Sequence, residues 1–435
     1  MFESANTLAL LGGKPAIAYN MQVANPIGSE EIDAALEVLN SGTLSSFVGD
    51  SGSNFLGGVK VKMFEESLAA AFEVKHAISV NSWTSGLWAI IGALEFEPGD
   101  EVITSSWTMA ATATTILHWN LVPVFADIDP FTFNLDPTDV ESRITSRTRA
   151  IVSPDIFGQS ADIDALRALC VKYGLRLVSD SAQAPMAKHQ GKYTSSTADI
   201  GGFSFNYHKH IHTGEGGMVV TNDAKLAERV QLLRNHGEVI QGKQPRHLRQ
   251  FGILGMNLRL GELESAIGIE QLKKLPGIVE QKETQANLFS SLIQDLPGLT
   301  IPFLDPRSTH VYYVYGLNLD LQTLGIGRKT LVDALKSEGV PSIMSGYQNI
   351  HSLPLFKEEM TNAISQFPYS LLNEKRRMEL KSTSLPIAER FHEKTFLGIN
   401  WCSKSFVDQD IQNMANAFHK VWANLDKLRT LDART

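Results

Sequence analysis

The stretch Phe203–Gly217 holds the densest set of side chains that could do chemistry. His208, His210 and His212 alternate, so on an extended chain they would share one face and could bind a metal ion. Lys209 would then point the other way, and a poorly solvated lysine has a lowered pKa and can form a Schiff base. The residue types alone leave three interpretations open: a metal site, a Schiff-base lysine and a solvated loop.

Two further groups of polar residues follow strands in the sequence. Asn81–Gly86, which reads Asn-Ser-Trp-Thr-Ser-Gly, precedes a helix. Free N–H groups at a helix N-terminus, together with small hydroxyl side chains, can bind a phosphate. Asp180 ends another strand, with Gln183 three residues later, and a carboxylate at that point can hold a cationic nitrogen. Each group also has a simpler interpretation as an ordinary helix N-cap.

Short apolar runs alternate with helical patterns between residues 60 and 235, which predicts a mostly parallel sheet with helices on both faces. Ligands of such sheets bind beyond the carboxyl ends of the strands, where these polar groups lie. Residues 257–296 favour long helices, a second, smaller domain follows, and 340–385 is irregular. The predicted strands are 77–80, 101–104, 122–126, 150–152, 175–178, 203–205, 218–220 and 311–317, and the main predicted helices are 85–94, 163–173, 328–337 and 407–425.

The composition limits the class of protein. Of the 435 residues 43% are apolar, which is enough for a large core, and 39 Lys and Arg against 47 Asp and Glu give a net charge of −8. An acidic chain of this kind speaks against nucleic-acid binding. Two cysteines, Cys170 and Cys402, exclude a disulfide scaffold. Because the first residues lack the basic region of a signal peptide and no apolar run suits a membrane span, we expect a cytoplasmic protein.

Taken in order, the motifs of the chain resemble those of the DegT/DnrJ/EryC1/StrS family of sugar aminotransferases. The resemblance implies a pyridoxal phosphate (PLP) enzyme of fold type I, the aspartate aminotransferase fold. It implies a large α/β domain with a mostly parallel seven-stranded sheet over residues 1–296, and a smaller C-terminal α+β domain over 297–435. The matching motifs are Leu10–Pro15, Pro98–Ile103, Asp127–Asp129, Asp162–Asp164, Asp180–Ala184, Thr213–Gly217 and Gly255–Arg259.

The resemblance also implies a role for each candidate residue. The family places its catalytic lysine four residues before the Thr of Thr-Gly-Glu-Gly-Gly, and that position is Lys209 here. Asp180 would pair with the protonated pyridine nitrogen of the cofactor, and Gln183 would contact its ring. Asn257 would reach the phosphate of a neighbouring subunit, which implies a homodimer. The remaining cofactor-binding residues would be Thr84, Ser85 and Ser204 at the phosphate and Met109 at the ring.

Three features depart from the family pattern. Trp83 stands where the family usually has Gly, so the phosphate loop can differ in shape. Met109 stands where an aromatic residue usually covers the cofactor, and Trp107 lies two residues earlier, so either side chain could cover the ring. The loop Ser45–Gly58 is longer than in most members, and it either sets substrate specificity or is a mobile surface loop.

The activity implied by the resemblance is the transfer of an amino group from L-glutamate to a keto- or aldehydo-sugar. PLP is the expected cofactor, and pyridoxamine phosphate is its amine-carrying form. Three acceptors stay open: a nucleotide-linked keto-sugar, an inosose, and an oxidised 3-deoxy-manno-octulosonate aminated at C8 for lipopolysaccharide synthesis. An acidic sugar would need a cationic partner, and the candidates are Lys188, Arg246, Arg249 and Arg259.

Three rival functions remain at this point. Related PLP-dependent sugar dehydratases carry His at the position of Lys209, so the lysine favours transamination. A non-catalytic sensor of the same family would not need Lys209, Asp180 and Gln183 together. A metalloenzyme built on the three alternating histidines is the third rival, and the register of Lys209 disfavours it.

Overall fold

A computed structural model of the protein describes residues 7–49, 52–237, 253–361 and 365–432. The strands are β1 His76–Val80, β2 Glu101–Ser105, β3 Val122–Ala126, β4 Thr148–Pro154, β5 Arg176–Asp180, β6 Lys188–His189, β7 Lys192–Tyr193, β8 Ile200–Ser204, β9 Gly217–Thr221, β10 Leu299–Thr300, β11 Val314–Leu319, β12 Ile343–Ser345 and β13 Phe396–Asn400. The helices are α1 Ser29–Ser41, α2 Val59–Ala71, α3 Trp83–Ala93, α4 Ala110–His118, α5 Pro137–Arg143, α6 Ile163–Tyr173, α7 Thr194–Thr197, α8 Ala224–Arg234, α9 Glu262–Ile293, α10 Leu321–Leu324, α11 Arg328–Ser337, α12 Pro354–Lys357, α13 Glu374–Lys381, α14 Pro386–Arg390, α15 Asp408–Trp422 and α16 Leu425–Asp432.

The larger sheet has seven strands in the order β1-β9-β8-β5-β4-β2-β3. Strands β3, β2, β4, β5 and β8 are parallel, and β9 runs antiparallel to both of its neighbours. Both β2 and β3 are buried along their whole length, as expected for strands that helices cover on both faces. The predicted mostly parallel, seven-stranded sheet is therefore confirmed.

Local sequence signals set several boundaries of the elements. The side chain of Asp162 accepts a hydrogen bond from the N–H of Ala165 at the start of α6, and Gly174 ends the helix with a φ of 68°. Both ends of α6 agree with the prediction. Strand β11 begins at Val314, three residues later than predicted, because Tyr312 has a φ of 51° and interrupts the extended chain.

A smaller antiparallel sheet has the order β10-β11-β13-β12. It shares one apolar core with α11, α15 and the last turns of α9. Leu8, Ile17 and Met21, from the start of the described chain, are buried in the same core. The N-terminal arm thus packs on the smaller sheet, and the division of the chain at residues 296 and 297 stays a prediction.

The irregular segment 340–385, described here except for residues 362–364, packs partly on the edge of the larger sheet. Tyr369 and Leu372 are buried against Val122 of β3. Arg376 donates to the buried carboxylate of Glu101 in β2 at 2.7 Å. These contacts cover the outer strands of the sheet. In the described part of the chain, no helix is both long and apolar enough to cross a membrane.

Candidate active site

A cavity of about 210 Å³ lies at the carboxyl ends of the parallel strands. Six of the eight predicted site residues line it, and the other two, Ser85 and Asn257, do not. The strands position these side chains directly, because Asp180 ends β5, Ser204 ends β8, and α3 begins three residues after β1. The predicted residues in the lining are Thr84, Met109, Asp180, Gln183, Ser204 and Lys209, and those that sequence reasoning missed include Thr112, Asn206, Glu215, Tyr313 and Tyr347.

Lys209 lies on a turn after β8, where its backbone N–H donates to the carbonyl of Asn206 at 2.9 Å. Its Nζ lies over the ring of Tyr313, 4.3 Å from the ring centre. Loss of hydration inside the cavity lowers the pKa of Lys209 to about 8, and the charge of nearby Asp180 opposes this shift. A larger fraction of the amine than in a solvated lysine is therefore unprotonated near neutral pH and able to act as a nucleophile.

Asp180 is buried and accepts hydrogen bonds at both carboxylate oxygens. The indole N–H of Trp83 donates to Oδ1 at 2.6 Å, and the hydroxyl of Thr112 donates to Oδ2 at 2.8 Å. Burial raises the pKa of Asp180, while these two donors stabilise its anion. A cationic group in the cavity would gain from this carboxylate, because it lies in a poorly hydrated environment.

Trp83, which departs from the family pattern, fits because glycines line its surroundings. It is the first residue of α3, and its buried ring packs over Gly86 and Gly202. A Cβ on Gly202 would lie 2.6 Å from the ring, and a Cβ on Gly86 would lie 2.8 Å from it. The position therefore accepts the indole without displacing the strands, and the indole N–H becomes a partner of Asp180.

Gln183 is fixed in the cavity from two sides. Its Oε1 accepts from the backbone N–H of Phe157 at 2.9 Å, and its Nε2 donates to the hydroxyl of Tyr347 at 3.1 Å. Tyr347 belongs to the irregular segment 340–385, for which the sequence predicted no role. Tyr347 and Tyr313 are each more than 100 positions from Lys209, and no motif or spacing links them to it, so only the folded chain reveals them.

The start of α3 has the form expected of a phosphate site. Ser82 and Thr84 line the cavity. Oγ of Ser82 accepts a hydrogen bond from the backbone N–H of Ser85 at 3.1 Å, so Ser82 caps the helix, and Ser85 does not line the cavity. Asn257 is exposed outside the cavity, where its Oδ1 accepts from the N–H of Arg259 at 3.4 Å.

The structure distinguishes the two side chains that could cover a cofactor ring. Met109 lines the cavity and is 64% exposed. Trp107 is fully buried in an aromatic cluster, where its ring centre lies 5.3 Å from that of Phe396 and 6.5 Å from that of Phe157. Met109 therefore lines the cavity and Trp107 does not, and the contact of Met109 with a cofactor ring stays a prediction.

The alternating histidines do not form a metal site. Among the described residues no group of three His, Cys, Asp or Glu side chains could hold a metal ion. His210 donates through Nε2 to the carbonyl of Val311 at 2.7 Å, and burial lowers its pKa to about 3. The segment is a turn and not an extended strand, so the three side chains do not share one face as the alternation predicted.

Of the four cations predicted for an acidic sugar, Lys188 and Arg259 are described, and neither lines this cavity. Lys188 lies over the ring of Tyr193, 4.5 Å from its centre, and Arg259 donates to Oδ1 of Asn235 at 2.6 Å. Arg246 and Arg249 lie outside the described residues.

The loop Ser45–Gly58 is held in place where it is described. The side-chain amide of Asn235 donates to the carbonyls of Val48 and Phe55, at 2.8 and 3.1 Å. These bonds speak against a loop that is mobile along its whole length. A role of the loop in substrate specificity stays a prediction.

The residues of the cavity fit PLP. A buried carboxylate can pair with a protonated pyridine nitrogen, and a helix N-terminus with hydroxyl side chains can bind a phosphate. A lysine with a lowered pKa can form a Schiff base with a carbonyl carbon. Together with the mostly parallel seven-stranded sheet, they define a PLP-dependent enzyme of fold type I.

Comparisons with known proteins agree with this class. Residues 27–394 match the DegT/DnrJ/EryC1/StrS aminotransferase family. The spore coat polysaccharide biosynthesis protein SpsC of Bacillus subtilis is 34% identical over 360 residues, which are 81% of this chain and 90% of SpsC. The L-glutamine:2-deoxy-scyllo-inosose aminotransferase of Streptoalloteichus tenebrarius is 33% identical over 384 residues, which are 85% of this chain and 87% of that protein. The solved structure of DesI in the presence of its TDP-sugar product has a TM-score of 0.78 at 29% identity, and the match covers 98% of each chain.

The chain belongs to the DegT/DnrJ/EryC1/StrS aminotransferase family. It is a PLP-dependent aminotransferase, as the sequence motifs implied.

Proposed function

We propose that this aminotransferase moves the amino group of L-glutamate to a keto- or aldehydo-sugar. The observation that carries the proposal is the pairing, in one cavity, of Lys209 with its lowered pKa and the buried carboxylate of Asp180. When bound, PLP supplies an electron sink for the negative charge that develops on a substrate carbon as its proton leaves.

In this proposal Lys209 has two tasks. It would hold the cofactor, and its amine, once free, would take the proton that leaves the substrate carbon and later deliver a proton. A pKa of about 8 suits both tasks, because the amine can accept a proton and also donate one near neutral pH. Asp180 holds the pyridine nitrogen in its protonated form, and Trp83 and Thr112 orient the carboxylate. Gln183, fixed by its two hydrogen bonds, would contact the ring.

The phosphate would be held at the start of α3. Thr84 and Ser204 line that part of the cavity, and we add Ser82, which lines it as well. Ser85 lies outside the lining, and its backbone N–H donates to Ser82, which caps the helix. Asn257 is exposed and does not line this cavity, which suits the proposed contact with the phosphate of a second subunit in a homodimer.

The relatives support a sugar as acceptor. One is named for 2-deoxy-scyllo-inosose, and the structure of DesI was determined in the presence of a TDP-sugar product. We therefore propose an inosose or a nucleotide-linked keto-sugar as the acceptor class. The narrower proposal is an oxidised 3-deoxy-manno-octulosonate that is aminated at C8, and it rests on the resemblance in sequence alone. The inosose relative is named for L-glutamine, so the donor test includes both amino acids.

The visible absorption spectrum of the purified protein with PLP tests the proposal. We expect a band that L-glutamate bleaches and that a keto- or aldehydo-sugar restores. The variant Lys209→Ala should lose both changes while its far-UV circular dichroism is unchanged. Lys188→Ala is a matched control, because Lys188 also lies over a tyrosine ring but outside the cavity. A band that neither L-glutamate nor L-glutamine moves would point to a dehydratase or a sensor, and an active Lys209→Ala would refute the proposed role.

A further inference from the structure

A second cavity, of about 450 Å³, lies on the other side of the turn that carries Lys209. His208 and Lys209 line both cavities, so the turn separates them. The walls of the second cavity come from the N-terminal arm at residues 23–26, from α9, and from residues 400–406 after β13. A ligand in it would therefore lie next to Lys209 while it contacts the smaller sheet.

The walls of this cavity carry positive charge only. Its lining includes Lys209, Lys274, Lys282 and Lys404, and it includes neither Asp nor Glu. The charge of Lys274 is balanced by Glu31, because its Nζ lies 2.7 Å from the buried carboxylate of Glu31. Within the described residues, no carboxylate lies within 4.0 Å of the ammonium of Lys282 or of Lys404.

Lys282 is a buried cation with an unbalanced charge. It is 7% exposed, and its Nζ donates to the backbone carbonyls of Trp401 at 3.0 Å and of Lys404 at 3.4 Å. Carbonyl oxygens accept its hydrogens but bring no negative charge. Burial accordingly lowers the pKa of Lys282. A buried charge without a counter-charge is costly, and a bound anion would remove that cost.

The surrounding groups suit a ligand that also carries hydroxyl groups. Lys404 is half-buried, and its Nζ donates to the carbonyl of Met21 at 3.2 Å, which fixes the ammonium at the cavity. Side chains that can accept or donate hydrogen bonds complete the lining: Asn25, Gln281, Gln285, Asn400, Ser403 and Ser405.

We propose that this second cavity binds the carboxylate of a substrate, with Lys282 and Lys404 as its cationic partners. The inference rests on the proposed function, because it assigns an acidic substrate to that reaction. The carboxylate could belong to the amino donor or to an acidic sugar acceptor. The chemistry at the cavity is the same for both, so the experiment has to distinguish them.

Calorimetric titration of the holoenzyme with D-gluconate, a hydroxylated carboxylate, tests binding without turnover, and neutral sorbitol is the control ligand. Lys404→Gln keeps a donor for Met21 but removes the charge, so gluconate should bind about tenfold more weakly, as expected when a charge-assisted contact is lost. Lys282→Met should weaken binding further. Lys62→Gln is the matched control, because Lys62 is half-buried and donates to a backbone carbonyl away from both cavities.

The two half-reactions then identify the source of the carboxylate. If Lys404→Gln raises the half-saturating concentration of L-glutamate, the cavity holds the donor. If it raises that of an aldehyde-oxidised 3-deoxy-manno-octulosonate but not that of neutral scyllo-inosose, the cavity holds an acidic acceptor. The proposal is overturned if neither variant changes gluconate binding or either half-reaction. Should the wild type show no half-reaction at all, the proposed function fails, and the gluconate titration still decides the role of the cavity.

Discussion

The pKa of Lys209 is the property on which the proposed chemistry depends most. A shift from 10.5 to about 8 is a net destabilisation of the protonated amine by about 3 kcal/mol, in which lost hydration outweighs the attraction of Asp180. At pH 7 the neutral fraction of an amine with a pKa of 8 is roughly 9%, against roughly 0.03% at 10.5, a gain of about 300-fold in nucleophile. The direction in which Asp180→Asn changes the pKa of Lys209 follows directly. Because the carboxylate raises the pKa of Lys209, its removal should lower that pKa further.

Trace acetylation of the cofactor-free protein measures this pKa. Acetic anhydride modifies only neutral amines, so the rate at each lysine follows its ionisation, and mass spectrometry of the peptides separates Lys209 from Lys188 as an internal reference. We expect the rate at Lys209 to rise through a midpoint near pH 8, and through a lower midpoint in Asp180→Asn. A midpoint near 10.5, or an upward shift in Asp180→Asn, would refute the argument that burial and Asp180 together set the reactivity of the amine.

Two further predictions concern Trp83. Trp83→Phe keeps an aromatic side chain but removes the N–H that donates to Asp180. A hydrogen bond to a charged group contributes about 1.5–3 kcal/mol, so PLP should dissociate about 10- to 100-fold more readily in an absorbance titration. Trp88→Phe in the same helix is the control, and equal PLP affinity in both variants would contradict the role of the bond. Gly202→Ala would place a Cβ 1.9 Å from the carbonyl of Met218 and 2.6 Å from Trp83. It should therefore lower the free energy of unfolding, measured by urea denaturation, by about 1–3 kcal/mol or more. Gly277→Ala, whose Cβ meets nothing within 4 Å, should not destabilise the protein, and equal effects would disprove the steric argument.

Elements whose ends depend on neighbouring residues could be predicted from the sequence. Asp162 and Gly174 bound α6 through contacts within one turn, so the predicted and observed helix agree. The packing of the N-terminal arm could not be predicted, because Leu8 and Ile17 are buried against residues about 300 positions later. Tyr312 has a left-handed backbone conformation, which its residue type does not indicate. The predicted start of β11 was therefore wrong.

The same distinction applies to the site. Asp180 could be predicted because it ends a strand of a parallel sheet, where ligands bind, whereas Ser204 was assigned through the family resemblance alone. The bond from Trp83 to Asp180 joins residues 97 positions apart and depends on the space left at Gly202, so the sequence showed only that Trp83 was unusual. Tyr347 comes from a segment without regular patterning, and its place beside Gln183 follows from tertiary packing.

The histidines beside Lys209 suggested a metal site in the sequence, and the structure gives them a different effect. Burial lowers the pKa of His208 to about 4 and that of His210 to about 3, so both rings are neutral at physiological pH. Protonated rings at these positions would repel the ammonium of Lys209 and the cationic nitrogen that Asp180 is placed to hold. Neutral rings let the turn pass between the two cavities without adding charge to the first. The positive charge of the second cavity then comes from its lysines alone, and this separation places Lys209 between a site for chemistry and a site for substrate recognition.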